Sequence, residues 1–383
     1  MELMRKKDGL VTFILFTLLI PFFSIHGIRS ATGEVLYQGW QIISTVLLIV
    51  LMLTVSAEIK LNWAVGLFMI YQAVILGSTF VHHGFSPGIL AVTTAMIMLF
   101  MLLQSRYYRE ILDAISMIVV LSAVANLITM VMNYSGAGGQ YFIGGKNALG
   151  IFLVPGAFVL LLNSAQTMRK TSKKTFLAIG MCLISVFLGS SGTGIVVAVC
   201  SIVLMAVATK FKPKKQQYLL IILIFYGLLI LFTENFVLTR MWLFLTDLLE
   251  KDSTLTSRTA IWTAVKEMIG ENWLFGVGRG TRIYYINTLG ITRTSYEAHN
   301  FILEILLEGG VAALTLYATL FVKAVKRLNM NIIKNRIVFI AMCVLLINGL
   351  TESTVNNCFV TIILGIACRY AVENQGGVKL NGK

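Results

Sequence analysis

Long apolar runs recur along this chain and decide its class. A run of roughly 18 or more apolar residues with few charges is long enough to cross the hydrocarbon layer of a bilayer. Twelve such runs are present, near 9–25, 39–57, 61–80, 86–104, 111–132, 147–164, 175–190, 193–209, 218–233, 300–322, 337–351 and 355–372. The seventh, eighth, ninth and eleventh are short and borrow flanking residues or tilt little. Charged residues make up only 13% of the chain, against about 25% in soluble domains. The expected fold class is therefore an all-α polytopic membrane protein with about twelve transmembrane helices. The first run has no small-residue cleavage site behind it and is read as a retained helix, not a signal peptide. None of the five cysteines falls in a metal-ligand or disulfide pattern, so no cofactor and no metal site is expected.

The net charge of +14 would point to nucleic acid in a soluble protein. Here the basic residues sit in short loops between apolar runs, which marks membrane orientation instead, with no nucleic-acid partner. One alternate set of loops and ends holds 22 of the 31 lysines and arginines, and the short loops of the other set hold only Arg29 and Lys146. That bias puts both termini in the cytoplasm and the long segment 234–299 outside. The chain thus divides into nine transmembrane helices over 1–233, a long extracytoplasmic loop with amphipathic helices over 234–299, and three transmembrane helices with a cytoplasmic tail over 300–383.

Two stretches of the long loop read as interfacial helices. Residues 237–250 are rich in apolar side chains. In the next stretch Ile261, Trp262, Val265, Met268 and Ile269 share one helical face. Thr256 or Ser257 can cap its start and Gly270 can end it. Its apolar face would lie in lipid or on the bundle. From Trp273 to Tyr296 the loop carries Arg279, Arg282 and Arg293 and no acid, a local basic patch on a face otherwise poor in bases.

The candidate chemistry gathers where this loop meets the tenth run. His299 and Asn300 stand at the start of that helix, where free N–H groups and a partial positive charge disfavour imidazolium and attract anions. A neutral imidazole can take a proton from a sugar hydroxyl. The alternative is that both residues only cap the helix. Arg258, Arg279, Arg282 and Arg293 can grip a diphosphate bidentately, or contact solvent and lipid headgroups. The glycines at 276, 278 and 280 lack the βαβ setting of a dinucleotide site; they form either a backbone nest for an anion or a hinge. Glu304 and Glu308, one turn apart inside a span, are costly there and therefore functional candidates. They would pair with an outer arginine or orient a sugar hydroxyl. Lys146 and Asn147, in GGKNALG, stand at the outer mouth of the sixth span and can hold a phosphate or sugar, or cap. His26, His82 and His83 carry no supporting pattern.

The segments SRTAIW, WLFGVGRG and AHNFILEILLEGGVAAL, in this order and spacing, resemble the bacterial O-antigen polymerase and ligase family, and GGKNALG is similar to the stretch that opens a middle helix in its repeat-unit polymerases. The resemblance implies a glycosyltransferase of GT-C-like architecture in the bacterial cytoplasmic membrane. Such an enzyme transfers an oligosaccharide from a polyprenyl diphosphate carrier to a lipid-linked acceptor on the outer face. By motif, His299 matches the family's catalytic histidine and Arg258 the arginine of the outer helix. Many family members open the helix after the seventh span with Ser-Arg; this chain reads Ser190-Ser191-Gly192-Thr193 there, so Lys146, Arg279 or Arg282 would supply the second cation.

The reading is an inverting, metal-independent polymerase of repeat units, with membrane lipids, a flippase and a chain-length regulator as partners. Its rivals are a ligase that attaches the finished glycan to a lipid, protein or wall acceptor, and a transporter of lipid-linked sugars. The orientation is directly testable. A cysteine placed at Ser253 should react with a membrane-impermeant reagent on intact cells, while a tag after Lys383 stays protected. Reaction at 253 only after lysis would invert the topology.

Overall fold

The computed structural model describes residues 2–55, 62–132, 140–167, 172–232, 254–286 and 291–376. Among the described residues, ten α-helices precede the long loop: α1 (Glu2–Leu19), α2 (His26–Thr32), α3 (Glu34–Val55), α4 (Trp63–His83), α5 (Pro87–Leu103), α6 (Tyr108–Val131), α7 (Lys146–Thr167), α8 (Lys173–Leu188), α9 (Gly192–Lys210) and α10 (Lys215–Phe232). Short polar side chains open several of them. Asn62 accepts the N–H groups of Ala64 and Val65, Ser172 that of Thr175, and Ser191 that of Gly194; each satisfies orphan donors of a first turn. After α1 a short 3-10 turn, Ile20–Phe22, precedes an 86° bend into α2. The first expected span is thus a bent pair, not one straight helix.

Every expected span contains a helix, but the helices are not equivalent. Among the described residues six of them, α3, α4, α6, α7, α9 and the later helix Phe301–Arg327, are long and apolar enough to cross a membrane, and the bent α1–α2 pair makes a seventh. The others are shorter or less apolar. α5 and α8 have 17 and 16 residues, about 24–26 Å at 1.5 Å per residue. Large apolar side chains are exposed along α3 (Ile43, Val50, Leu53) and α10 (Leu220, Ile224, Phe225), as expected where the surrounding solvent is hydrocarbon. α7 and α9 meet backbone to backbone, since a Cβ on Gly150 would stand 2.7 Å from the Cα of Gly194. That contact fixes the two helix starts beside each other.

From residue 254 onward come α11 (Thr254–Glu271), a two-stranded antiparallel hairpin of β1 (Ile283–Ile286) and β2 (Thr292–Ser295), then α12 (Phe301–Arg327), α13 (Ile333–Asn348) and α14 (Cys358–Gly376). The apolar segment 237–250 lies outside the described residues. α11 begins two residues before the expected cap and continues one past Gly270. Its apolar face lies on protein: Ile261, Trp262 and Val265 are buried with Val277, Ile283, Ala298, Leu303 and Leu307 in a small core of their own. The expected amphipathic helix is therefore a lid over the start of α12.

α12 is broken in its first half. Gly310 has φ +64° and ψ −163°, so the helix cannot close its bonds across that point. In an unbroken helix the N–H of Val311 would donate to the carbonyl of Leu307, and that of Ala312 to Glu308. Here the loop before the hairpin enters between them. The carbonyls of Leu307 and Glu308 accept the N–H groups of Val277 and Gly278 (2.7 and 3.2 Å), while Val311 and Ala312 donate to the carbonyls of Trp273 and Leu274 (2.9 and 3.1 Å). Two broken helical bonds become four bonds to an inserted strap. The glycines make the approach possible: a Cβ on Gly276 would overlap the Leu307 carbonyl oxygen, and one on Gly278 would overlap the backbone of Thr79 in α4. Both also have positive φ, the left-handed region that suits glycine.

This overturns the anion-nest reading of the glycine turn. The amides of Val277, Gly278 and Arg279 donate to Leu307, Glu308 and the Thr79 hydroxyl, so none points at a ligand. Gly276→Ala should dislodge the strap, through steric overlap and a left-handed backbone that costs of order 1–3 kcal/mol. Thermal unfolding in detergent should show a midpoint several degrees lower, whereas Gly270→Ala, with open space around its Cα, should not move it.

Candidate functional site

The start of α12 is built by local capping and by a loop from far along the chain. Asn300 is the cap: its Oδ1 accepts the N–H groups of Ile302 and Leu303, both at 3.1 Å, and its Nδ2 donates to the carbonyl of Leu350. The N–H of Phe301 donates to the carbonyl of Gly349. With both amide atoms engaged and no exposed surface, Asn300 faces protein on every side.

His299 does not cap. Its backbone is left-handed, φ +50°, a conformation uncommon for a residue with a Cβ. Three bonds hold it there. The His299 N–H donates to Ser353 Oγ (2.8 Å), the Ser353 hydroxyl donates to Glu304 Oε2 (2.7 Å), and the same oxygen accepts the N–H of Ala298 (2.6 Å). The turn carries the imidazole to Glu352, in the loop between α13 and α14. His299 Nδ1 lies 3.6 Å from Glu352 Oε2 and has no hydrogen-bond partner among the described residues. The other carboxylate oxygen, Oε1, accepts Arg258 Nη2 at 2.5 Å. Glu352 and Arg258 are buried, while the His299 side chain keeps 28% of its surface open. Glu297, two residues earlier, has a carboxyl pushed above its usual range, first by protein crowded around it although its chain segment is exposed, with His299 opposing the shift.

A second cluster lies one helical turn deeper. Arg279 donates through Nε and Nη2 to the Glu308 carboxylate (3.3–3.4 Å) and through Nη1 to Thr93 Oγ1 of α5 (3.0 Å). Asn356 Nδ2 donates to Glu308 Oε1 at 2.5 Å. Burial opposes the charge on Arg279, but Glu308 outweighs it and raises the guanidinium pKa above its ordinary value. The pair sits at the break in α12, where it ties the strap to α5 and to the α13–α14 loop.

Lys146 and Asn147 open α7. Ser191 Oγ, the cap of α9, donates to Asn147 Oδ1 (3.0 Å), and Thr193 Oγ1 pairs with Thr351 Oγ1 (3.4 Å). Thr351 adjoins Glu352, so the starts of α7, α9 and α12 meet at one loop, with the Lys146 side chain exposed there. Arg282 and Arg293 lie outside the cluster. Arg282 is exposed, 5.8 Å from the centre of the Tyr296 ring, and its hydrogen bond to Tyr284 raises its pKa. Arg293 pairs with Tyr285 in the hairpin register and is exposed. His82 bonds the carbonyl of Ser78, and His83 bonds the Thr281 hydroxyl.

The structure therefore joins His299 and Arg258 through an acid that sequence reasoning missed. Glu308 pairs with an outer arginine, Arg279, one of the two roles expected of the α12 acids; Asn300 caps α12, and Glu304 accepts from Ala298 and Ser353. Glu352, Ser353 and Asn356 were the omissions. One signal was present: Glu352 is an isolated acid between two apolar runs in a chain with only 17 acids, and such a charge needs a partner. Among the known families, residues 176–318 match the one described as O-Antigen ligase. No curated protein and no solved structure matches the chain.

The Arg279–Glu308 pair gives a clean stability test. Removing one member leaves the other charged and buried, at a cost of about 3–5 kcal/mol. Arg279→Met and Glu308→Met should each lower the thermal midpoint in detergent sharply or abolish accumulation, and the double variant should regain most of the loss. A double variant as unstable as the sum of the singles would show that the two side chains act independently.

Proposed function

We propose that this membrane protein is a glycosyltransferase that polymerises oligosaccharide repeat units, a reading supported by the match of residues 176–318 to the family described as O-Antigen ligase. The donor is a glycan on a polyprenyl diphosphate and the acceptor is a lipid-linked unit on the outer face. The observation that carries the reading is the buried Glu352 carboxylate, with Arg258 on one oxygen and His299 beside the other. It joins a base to an anion-binding cation.

The chemistry follows from that arrangement. His299 takes the proton of the attacking acceptor hydroxyl through Nε2. Nδ1 faces Glu352, whose negative charge orients the ring and offsets the positive charge that arrives with the proton, the division of labour seen in His–carboxylate pairs generally. The 3.6 Å separation shortens to a hydrogen bond when substrate closes the site, as unliganded catalytic contacts often do. The hydroxyl oxygen attacks the anomeric carbon, the bond to the diphosphate breaks, and a single displacement inverts the centre. Arg258 stabilises the leaving diphosphate as charge develops on it. Lys146, exposed beside the α7–α9 junction that occupies the position of the family's Ser-Arg, is the second cation. Arg282 is the alternative; Arg279 is committed to Glu308. Asn300, Glu304 and Glu308 then act as scaffold for the His299 turn, and Asn147 anchors α9. Twelve crossings with a GT-C-like layout and both termini cytoplasmic complete the reading, supported by a helix in each of the twelve expected segments.

The family includes ligases as well as polymerases, and a ligase would use the same base with a different acceptor. The GGKNALG segment and the absent Ser-Arg favour polymerisation. Proteoliposomes supplied only with the lipid-linked repeat unit should form a ladder of longer glycans. His299→Ala and His299→Gln should both lose the ladder at normal protein level, a fall of at least 10²-fold, the lower bound for general base catalysis. Arg258→Lys should lose most activity because an ammonium keeps the charge without the planar fork. Near-normal ladders from His299→Gln would refute the base assignment; no ladder from the unaltered protein, with transfer to another acceptor intact, would make it a ligase.

A further inference from the structure

Far from His299, where α6 and α8 begin and α7 ends, lies a cavity of about 230 Å³ that the glycan chemistry does not use. It is walled by one stretch of each of these three helices. α6 supplies Asp113 and Ser116, then Val120; α7 supplies Asn163 and Ser164, then Leu160; α8 supplies Lys174 and Thr175, then Ala178, with its cap Ser172. In each helix the polar residues stand toward the helix ends and the apolar ones toward the middle of the bundle. Asp113 to Val120 alone spans about 10 Å along the axis. A cavity polar at its mouth and apolar within, at the end of a membrane bundle, has the polarity gradient of a lipid.

The charges narrow the choice of head. Asn163 Nδ2 donates to Asp113 Oδ1 (2.8 Å) and to Ser116 Oγ (3.0 Å), which fixes the carboxylate against the cavity wall. Asp113 is half-buried and has no ion-pair partner among the described residues. Lys174 lines the same cavity with an exposed side chain. A group that meets both has a cation inside and an anion toward the rim.

We propose that this cavity holds the headgroup of a membrane lipid bearing a primary ammonium next to its phosphate, as in phosphoethanolamine. The ammonium sits on Asp113 and donates to the neighbouring hydroxyls, the phosphate turns to Lys174, and the glycerol end follows the apolar wall. A trimethylated head has no N–H to donate, and a glycerol head has no positive charge.

Native mass spectrometry of the full-length protein in detergent, with phosphatidylethanolamine, phosphatidylcholine or phosphatidylglycerol added at equal concentration, tests this. The ethanolamine lipid should be retained about tenfold over the other two, the scale of one charge-assisted hydrogen bond. Asp113→Asn should remove that preference and leave the ethanolamine lipid at the level of the glycerol lipid. If Asp113→Asn does not accumulate, Lys174→Gln, on the exposed rim, should weaken retention of the ethanolamine lipid severalfold. Equal retention of all three lipids would overturn the proposal, as would an unchanged preference in Asp113→Asn, or in Lys174→Gln where that variant stands in. Displacement of the lipid by soluble O-phosphoethanolamine at comparable concentration would reassign the cavity to a soluble amine and also overturn it.

Discussion

Two missing backbone hydrogen bonds at Gly310 govern the arrangement of the site. Inside a bilayer an unsatisfied amide or carbonyl costs several kcal/mol, so a helix breaks there only where something else answers its polar groups. The strap from Trp273 to Gly278 does so with two carbonyls and two amides. Its seating brings Arg279 onto Glu308 and leads the chain into the hairpin, which ends just before His299. The positions of the loop and of the catalytic candidate therefore follow from how the break is repaired.

The two acids of α12 and the acid of the α13–α14 loop divide the work by location. Glu308 neutralises Arg279 at the break. Glu304 holds backbone, accepting Ala298 N–H and the Ser353 hydroxyl, and so keeps His299 in its left-handed turn. Glu352 faces side chains, Arg258 and His299. Each carboxylate is buried, and each has a donor or cation close by, the condition for tolerating such a group out of water.

Much of this was legible in order along the chain. The apolar runs announced the helices, because a membrane helix satisfies its own backbone and declares itself by composition. The spacing of Ile261, Trp262 and Val265 announced the buried face of α11, because that signal is local. His299 and Asn300 were placed correctly at the start of α12, but which of them caps was not readable, since either can; the answer depends on Ser353 and Leu350. The break at Gly310 was invisible because glycine is common in uninterrupted membrane helices. The pairing of Glu308 with an outer arginine was readable, because a charge inside a span needs a partner, but the partner of Arg258 was missed: charge pairing in a bundle is set by which helix ends meet, and nothing around residue 258 names the loop that carries Glu352.

That loop has a consequence for how the protein is made. The segment matching the family, 176–318, contains His299, Arg258 and Arg279, but Glu352, Ser353 and Asn356 are translated only after α13. A nascent chain inserted as far as α12 exposes the strap, the broken helix and the imidazole with no partner for any of them from the later loop. Ordering of the His299 turn waits for the last two helices to insert. An intermediate that ends at α12 therefore carries Arg258 without its buried carboxylate and Glu308 without Asn356, so the His299 turn is among the last parts of the fold to settle.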